Sequence, residues 1–316
     1  MTRIFYHASH EQFAPRELLN YTRLAEVAGF HGCHSSDHFH PWSERQAHSG
    51  HLYSWLGSVL EATRFPISFI TTPGQRYHPA VVAQAIATLA QMYPARISVE
   101  LGSGEALNEH ITGEKWLSKN DRNARLYECA TIIRRLLDGE DVNHHGLVKV
   151  NEARLYTLPE IVPPLFAAAL TEKTANWVGS WADGLITTSR SIHQLKKIIH
   201  AFRQGGGDNK PVHVKLTFCY DRNQRIAEQQ AYDQWRSNCI APEFLANLRT
   251  VSDFDQRSAE VTLEEVMETI PVVSDKRIIF DLIQQIFELG SEVVVLHNVN
   301  LNQADFIDDF KSLFTR

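Results

Sequence analysis

The sequence predicts a single (β/α)8 TIM barrel, and three observations carry that expectation. Strand-like and helix-like segments alternate from the start of the chain to its end. Eight strand-like segments can be counted, and eight strand–helix steps in 316 residues fit a closed parallel barrel better than a doubly wound sheet. Polar clusters fall where strands hand over to loops, which is where a barrel carries its chemistry. No Gly-, Pro- or Ser-rich linker divides residues 1–316, so they read as one domain with insertions in the loops that follow the strands.

The elements follow in order. Residues 3–8 read as a strand. Pro15 opens a helical pattern with Leu18, Leu19, Leu24, Ala25 and Ala28 on its apolar side, and Gly29 closes it. A second strand covers 31–36. After a polar loop, 51–63 is helical in pattern, and 66–71 is an apolar run of the kind a buried strand shows. Pro79 starts a helix that reaches Met92, with Val82, Ala85, Ile86, Leu89 and Ala90 at helical spacing. Further strands are expected at 97–101, 165–169, 184–187, 212–218 and 292–296, with helices near 120–138, 171–181, 192–204 and 303–314. Residues 144–157 suit a small hairpin or an irregular excursion. Segments 102–118 and 219–290 read as long loops, suited to a lid or a binding wall.

Composition narrows the function. Hydrophobic residues make up 43% and charged residues 22%, enough for a sizeable core and too apolar for disorder. Lys and Arg number 31 against 37 Asp and Glu, a balance that excludes the footprint of a nucleic-acid or anionic-membrane binder. No window approaches the ~18 apolar residues of a membrane span. The N-terminus turns polar by Ser9 and does not read as a signal peptide. Four cysteines without a C-x-x-C pair read as reduced thiols, so a cytoplasmic protein acting on a small molecule is expected.

Residues 31–51 hold His31, His34, His38, His40, His48 and His51, six of the sixteen histidines. Their spacing does not build a metal site, and no metal is expected. Asp37 and His38 at a strand end suit a base with its orienting group, against the bland alternative of a His-rich surface loop. Trp42 is either a wall for a ring or loop packing. Gly102-Ser103-Gly104-Glu105 lacks the third glycine of a dinucleotide fingerprint, and Glu105 would repel a pyrophosphate. It suits a glycine turn that lets backbone approach a flat cofactor, with Glu105 aimed at it, or else an ordinary tight turn. Neither a Walker loop nor a G-x-S-x-G elbow is present.

Four strings, in this order along the first half, resemble the luciferase-like oxidoreductases, and within them the branch of deazaflavin (coenzyme F420)-dependent glucose-6-phosphate dehydrogenases. They are Ala8–Pro15, Ser36–Trp42, Arg76–Ala80 and Gly102–Glu109. The resemblance implies that Asp37 lines the cofactor pocket and supports His38, that His38 is the base or charge stabiliser, that Trp42 stands against the reacting face, and that Glu105 donates a proton to the reduced ring. It places Glu11 in the substrate pocket and Asn108 at the cofactor, and it expects a non-prolyl cis peptide at Phe69–Ile70 behind the ring. Gly102, Ser103, Gly104, Ala169 and Leu170 fall at cofactor-binding turns of that pattern, and Arg76, Thr188 and Arg190 at substrate-facing positions. Members are often homodimers, so a homodimer is the implied state.

The second half departs from that branch. Ser189 stands where a phosphate-binding lysine is expected, and for the other cationic positions only Arg249 and Lys276 are available as substitutes. Glucose 6-phosphate is therefore not the expected substrate. Ala169-Leu170 replaces a glycine pair at the phosphate turn. A related subgroup that shares the strings of residues 36–46 and 105–114 is read as using ordinary flavin, so FMN is expected ahead of F420. The expected activity is hydride transfer between a flavin-type cofactor and an alcohol or sugar-like molecule. The alternatives are an FMN-dependent monooxygenase and a non-catalytic flavin-binding barrel.

Overall fold

The computed structural model describes residues 2–188 and 191–314. Eight parallel strands form the wall: β1 Arg3–Ala8, β2 Gly32–Ser36, β3 Ile67–Thr71, β4 Ile97–Leu101, β5 Leu165–Ala168, β6 Gly184–Thr188, β7 Val212–Tyr220 and β8 Val293–Asn298. Each pairs in parallel with the next, and β8 pairs with β1, which closes the barrel. The outer layer is α1 Pro15–Ala28, α2 Leu52–Ala62, α3 Pro79–Met92, α4 Lys119–Leu137, α5 Glu172–Gly179, α6 Ile192–Phe202, α7 Lys276–Glu288 and α8 Gln303–Phe310. Apart from α7, which no expectation covered, the strand and helix ends sit within a few residues of the sequence-based expectation.

Alternation along the strands divides the molecule. Ile4, Tyr6 and Ala8 of β1, and Val99 and Leu101 of β4, join the core packed under the helices. The intervening residues turn into the barrel. Near its floor Phe5 lies opposite Gly32, and a Cβ at Gly32 would come within 2.5 Å of the Phe5 ring, so the aromatic fills the space that glycine leaves. Helix signals held where punctuation was strong. Pro15 stands at the first turn of α1, and Gly29 caps it with φ 99°.

Two expectations are corrected. The described residues contain no cis peptide bond. Phe69 and Ile70 run in trans inside β3, locked between Ser35 and Ser36 on one side and Val99 and Glu100 on the other. The Phe69 side chain is fully buried on the helix side, edge-on to Tyr53 at 5.9 Å, so it does not line the barrel mouth. Segment 219–290 is not a loop. It holds helices Gln224–Trp235, Pro242–Leu245, Val251–Arg257 and Leu263–Thr269, the short strand Val272–Val273 beside β7, and α7. The first of these buries only Ala227, Ala231 and Gln234, small or polar residues that leave no apolar stripe to read. The hairpin near 144–157 is present as Val142–His145 against Lys149–Ala153.

Candidate active site

The carboxyl ends of β1 to β4 bring the expected residues to one end of the barrel. The loop after β2 splits its two functional neighbours to opposite sides. Asp37 turns towards β3: its Oδ2 accepts from Thr71 Oγ1 at 3.0 Å and meets Arg76 Nη2 at 3.2 Å, and its Oδ1 accepts from Tyr77 OH at 3.4 Å. Arg76 also reaches Glu109 Oε1 at 3.5 Å, and its backbone N–H donates to Glu109 Oε2 at 2.8 Å. The Arg76 side chain is 6% exposed and both carboxylates 1%. Arg76 is thus a clamp between two buried acids, not an open substrate contact. Burial pushes the Glu109 carboxyl up, against the pull of Arg76.

His38 turns towards β1. Its Nδ1 lies 3.4 Å from Glu11 Oε1 and 3.4 Å from Asn108 Nδ2. The group that orients His38 is therefore Glu11, not Asp37. Glu11 is fixed in turn, accepting from Ser9 Oγ at 2.8 Å and from Ser36 Oγ at 3.0 Å. Burial alone would raise its pKa, but His38, its own backbone N–H and Ser9 together hold it below the usual range. Glu11 is accordingly a carboxylate, and it can steady positive charge on the imidazole.

Asn108 pins the same loop: its Oδ1 accepts the backbone N–H groups of Phe39 at 2.9 Å and His40 at 3.2 Å. The Trp42 ring lies 5.3 Å from that of His38 and packs edge-on against Phe254 at 5.2 Å, so the 219–290 insertion forms the wall behind it. Glu105 starts the short helix Ala106–Glu109 and is half-buried. Burial raises its pKa first, and Glu11 and Glu109 add to that, while His38 and Lys215 oppose it. Gly104 before it has φ 81°, and a Cβ there would meet Thr72 Cγ2 at 2.9 Å.

Lys119 Nζ donates to Ser103 Oγ at 2.7 Å, a cation at the turn that was not foreseen. Gly102 borders that turn and Ile70 lies in the adjoining strand. Thr188 ends β6 beside Lys215. Ala169 is buried and Leu170 largely exposed. Arg190 and Ser189 lie outside the described residues. Lys276 donates to Asp309 O at 2.7 Å, and Arg249 is exposed.

Lys215, His7, Glu100, His213 and His297, all turned into the barrel, were missed, and His34, weighed only as part of the histidine cluster, lies among them. The signal was available in β7, where His213, Lys215 and Thr217 alternate with Val212, Val214 and Leu216. Among the described residues no group of three or more His, Cys, Asp or Glu is placed to hold a metal ion, and no helix is long and apolar enough to cross a membrane.

Comparison with known proteins places the chain in a family and agrees with the barrel fold. Residues 1–290 match the luciferase-like monooxygenase family. An F420-dependent glucose-6-phosphate dehydrogenase of Tsukamurella paurometabola is 34% identical, over 97% of this chain and 95% of the relative. One from Mycolicibacterium fortuitum is 33% identical, over 98% and 96%. Among solved structures, an F420-dependent secondary alcohol dehydrogenase in complex with an F420–acetone adduct superposes with a TM-score of 0.91 at 30% identity, covering 98% of this chain and 97% of the other. The expected preference for FMN finds no support in these relatives. The chain belongs to the luciferase-like monooxygenase family and is an oxidoreductase of that family.

Proposed function

We propose that this protein is an F420-dependent dehydrogenase of a small, uncharged alcohol. The observation that carries the reading is the pairing of His38 with ionised Glu11 in the same mouth as Glu105, whose carboxyl is biased towards holding its proton. The residues fit a flat hydride-accepting cofactor: Gly104 opens the backbone at the turn, Lys119 puts a cation on Ser103, and both ring nitrogens of buried His297 lack a protein partner. F420, when bound, supplies a ring that accepts hydride.

The chain supplies the proton handling. An alcohol carbon gives up hydride readily only as its hydroxyl loses a proton, so a base must stand beside it. His38 Nε2 takes that proton while its Nδ1–H faces the Glu11 carboxylate. Glu105 holds a proton at its carboxyl for delivery into the mouth. Trp42, braced by Phe254, excludes water from one side. The missing phosphate-binding set favours an uncharged alcohol over a sugar phosphate, and the likeness to a secondary alcohol dehydrogenase supports it.

The test is purified protein with F420 and FMN in parallel, against secondary alcohols and glucose 6-phosphate. Bleaching of F420 by an alcohol, abolished in His38→Ala with F420 affinity retained, is expected. Substrate-linked oxygen uptake with reduced FMN, or binding of neither cofactor, overturns the reading.

A further inference from the structure

Barrel interiors are ordinarily filled by branched apolar side chains. The floor of this barrel is laid differently. Phe5 of β1 lies across Gly32 of β2, and Phe166 of β5 lies across Gly184 of β6, each glycine being the partner in strand register. A Cβ at Gly32 would stand 2.5 Å from the Phe5 ring, and one at Gly184 2.3 Å from the Phe166 ring. Glycine weakens a strand interior, and one of its uses there is to let another group approach closely. Here two glycines let two rings lie against the sheet. His213 of β7 stands between them, stacked on Phe166 at 4.3 Å and 6.5 Å from Phe5. All three are at most 3% exposed, so this aromatic base is fixed.

A cavity of about 320 Å³ opens against the base, at the end of the barrel away from the candidate active site, where Arg3, Ile67 and Ile97 begin their strands. Pro66, Pro163, Pro164 and Pro211 stand in its wall, residues without an N–H to offer. The carbonyls of Pro66, Pro164 and Pro211 are already engaged by the N–H groups of Cys33, Val99 and Leu185. Ile161 and Val162 add apolar surface. The wall is thus stiff, apolar and formed in advance, as ligand pockets are. Ala95, also in the wall, holds φ 58°, a region that a residue other than glycine keeps only where its surroundings demand it.

Polar groups in the cavity are few. His213 Nδ1 lies 3.2 Å from Glu100 Oε1. Burial works against an ionised Glu100, yet His34 and His213 pull its pKa down to about 2, so it accepts and does not donate. His213 therefore donates through Nδ1, and a neutral ring keeps its lone pair at Nε2. That nitrogen has no hydrogen-bond partner among the described residues and opens onto the cavity. Arg3 and Glu292 bring one charge of each sign to the rim. Arg96 turns its N–H groups to the carbonyls of Leu60, Thr63 and Phe65. The cavity thus favours no net charge. Sealing a barrel needs neither a hollow nor an acceptor aimed into it.

We propose that this cavity is a second binding site, for a small, flat, uncharged aromatic molecule carrying one N–H or O–H donor, of the indole or phenol class. The apolar wall takes the ring, and His213 Nε2 accepts the donor. Glu100 holds the imidazole in the accepting tautomer. The site lies at the other end of the barrel from His38 and Glu105, and it stands or falls independently of the dehydrogenase reading.

The test is NMR of the full chain with labelled Ile, Leu and Val methyls, titrated with indole and with benzofuran, which matches its shape and lacks the donor. Indole is expected to give saturable shifts at Ile67, Ile97, Ile161 and Val162, with a Kd of about 1 mM or below. Benzofuran should bind about fivefold or more weakly, for want of one hydrogen bond. Ile161→Trp, at an exposed position in the wall, fills the cavity without touching the Glu100 network and should abolish these shifts at unchanged Tm. His213→Asn keeps an amide donor towards Glu100 but removes Nε2, and should bring indole down to the affinity of benzofuran. Should that variant fail to fold, Ile161→Trp and the ligand pair still decide. No saturable shift at the floor, shifts confined to Ile70 and Leu107 at the mouth, persistence of the floor shifts in Ile161→Trp, or equal affinity for indole and benzofuran overturns the site as proposed.

Discussion

Replacing Arg76 with Met separates a clamp from a substrate contact. The guanidinium stands between Asp37 at 3.2 Å and Glu109 at 3.5 Å, with all three side chains nearly inaccessible. Its loss leaves two carboxyls buried together without a cation. Breaking a buried pair from one side costs about 3–5 kcal/mol. The structure offers one way out, protonation of one carboxyl. With an ordinary carboxyl pKa near 4 and 1.36 kcal/mol per unit, that costs about 4 kcal/mol at pH 7, in line with the first figure. The sign with pH follows. A carboxyl whose pKa is higher folded than unfolded holds its proton more tightly when folded, so its contribution is present at low pH and fades as pH rises. Glu109 is already raised by burial, and Arg76→Met raises it further. Urea unfolding at pH 7.5 and 5.5 should therefore show a deficit of about 3–5 kcal/mol at the higher pH that shrinks at the lower. A deficit below about 1 kcal/mol, or one that grows on acidification, refutes the clamp. A raised KM at full stability would return Arg76 to the substrate.

Three further variants probe the site. Glu105→Gln removes the proton held at the mouth and should lower kcat about a hundredfold with F420 affinity within a few-fold, read by single-turnover bleaching. Glu11→Gln keeps an acceptor for Ser36 but removes the charge beside His38; kcat should fall about tenfold or more while KM moves little, checked by steady-state kinetics. Gly104→Ala forces a Cβ at φ 81° against Thr72 and should cost about 1–2 kcal/mol by chemical unfolding, with weaker F420 binding by titration.

The barrel was legible because its punctuation is chemical. Pro15, Gly29 and Pro79 mark helix ends at the residues where the chain turns, and the short apolar runs of β3 and β8 have the length of buried strands. The site was legible as fragments but not as partnerships. Adjacent residues such as Asp37 and His38 face opposite ways, so the neighbour in sequence serves β3 while Glu11, 27 positions back along the chain, serves the imidazole. Of the interior residues, those of β7 left a trace, His213 and Lys215 alternating with Val212, Val214 and Leu216, whereas His7, His34, Glu100 and His297 each stand as the one such residue of a strand. Helix Gln224–Trp235 escaped because what it buries is alanine and glutamine. In α7, by contrast, Ile279, Ile283 and Ile286 repeat at helical spacing, and the stripe was there to be read.

The wall behind Trp42 is tied down by amides. Gln234 receives Gln12 Nε2 at its side-chain oxygen and Gln46 Nε2 at its backbone carbonyl, and Gln12 also donates to Val299 O. The residues that shape one side of the pocket thus come as a contiguous cassette, from Asp221 to Pro271, plugged into a frame by a few fixed sockets. His38, Glu11 and Glu105 all lie outside it. Such an arrangement lets a lineage trade one substrate for another by exchanging a single stretch of gene, leaving the inherited chemistry of the frame untouched.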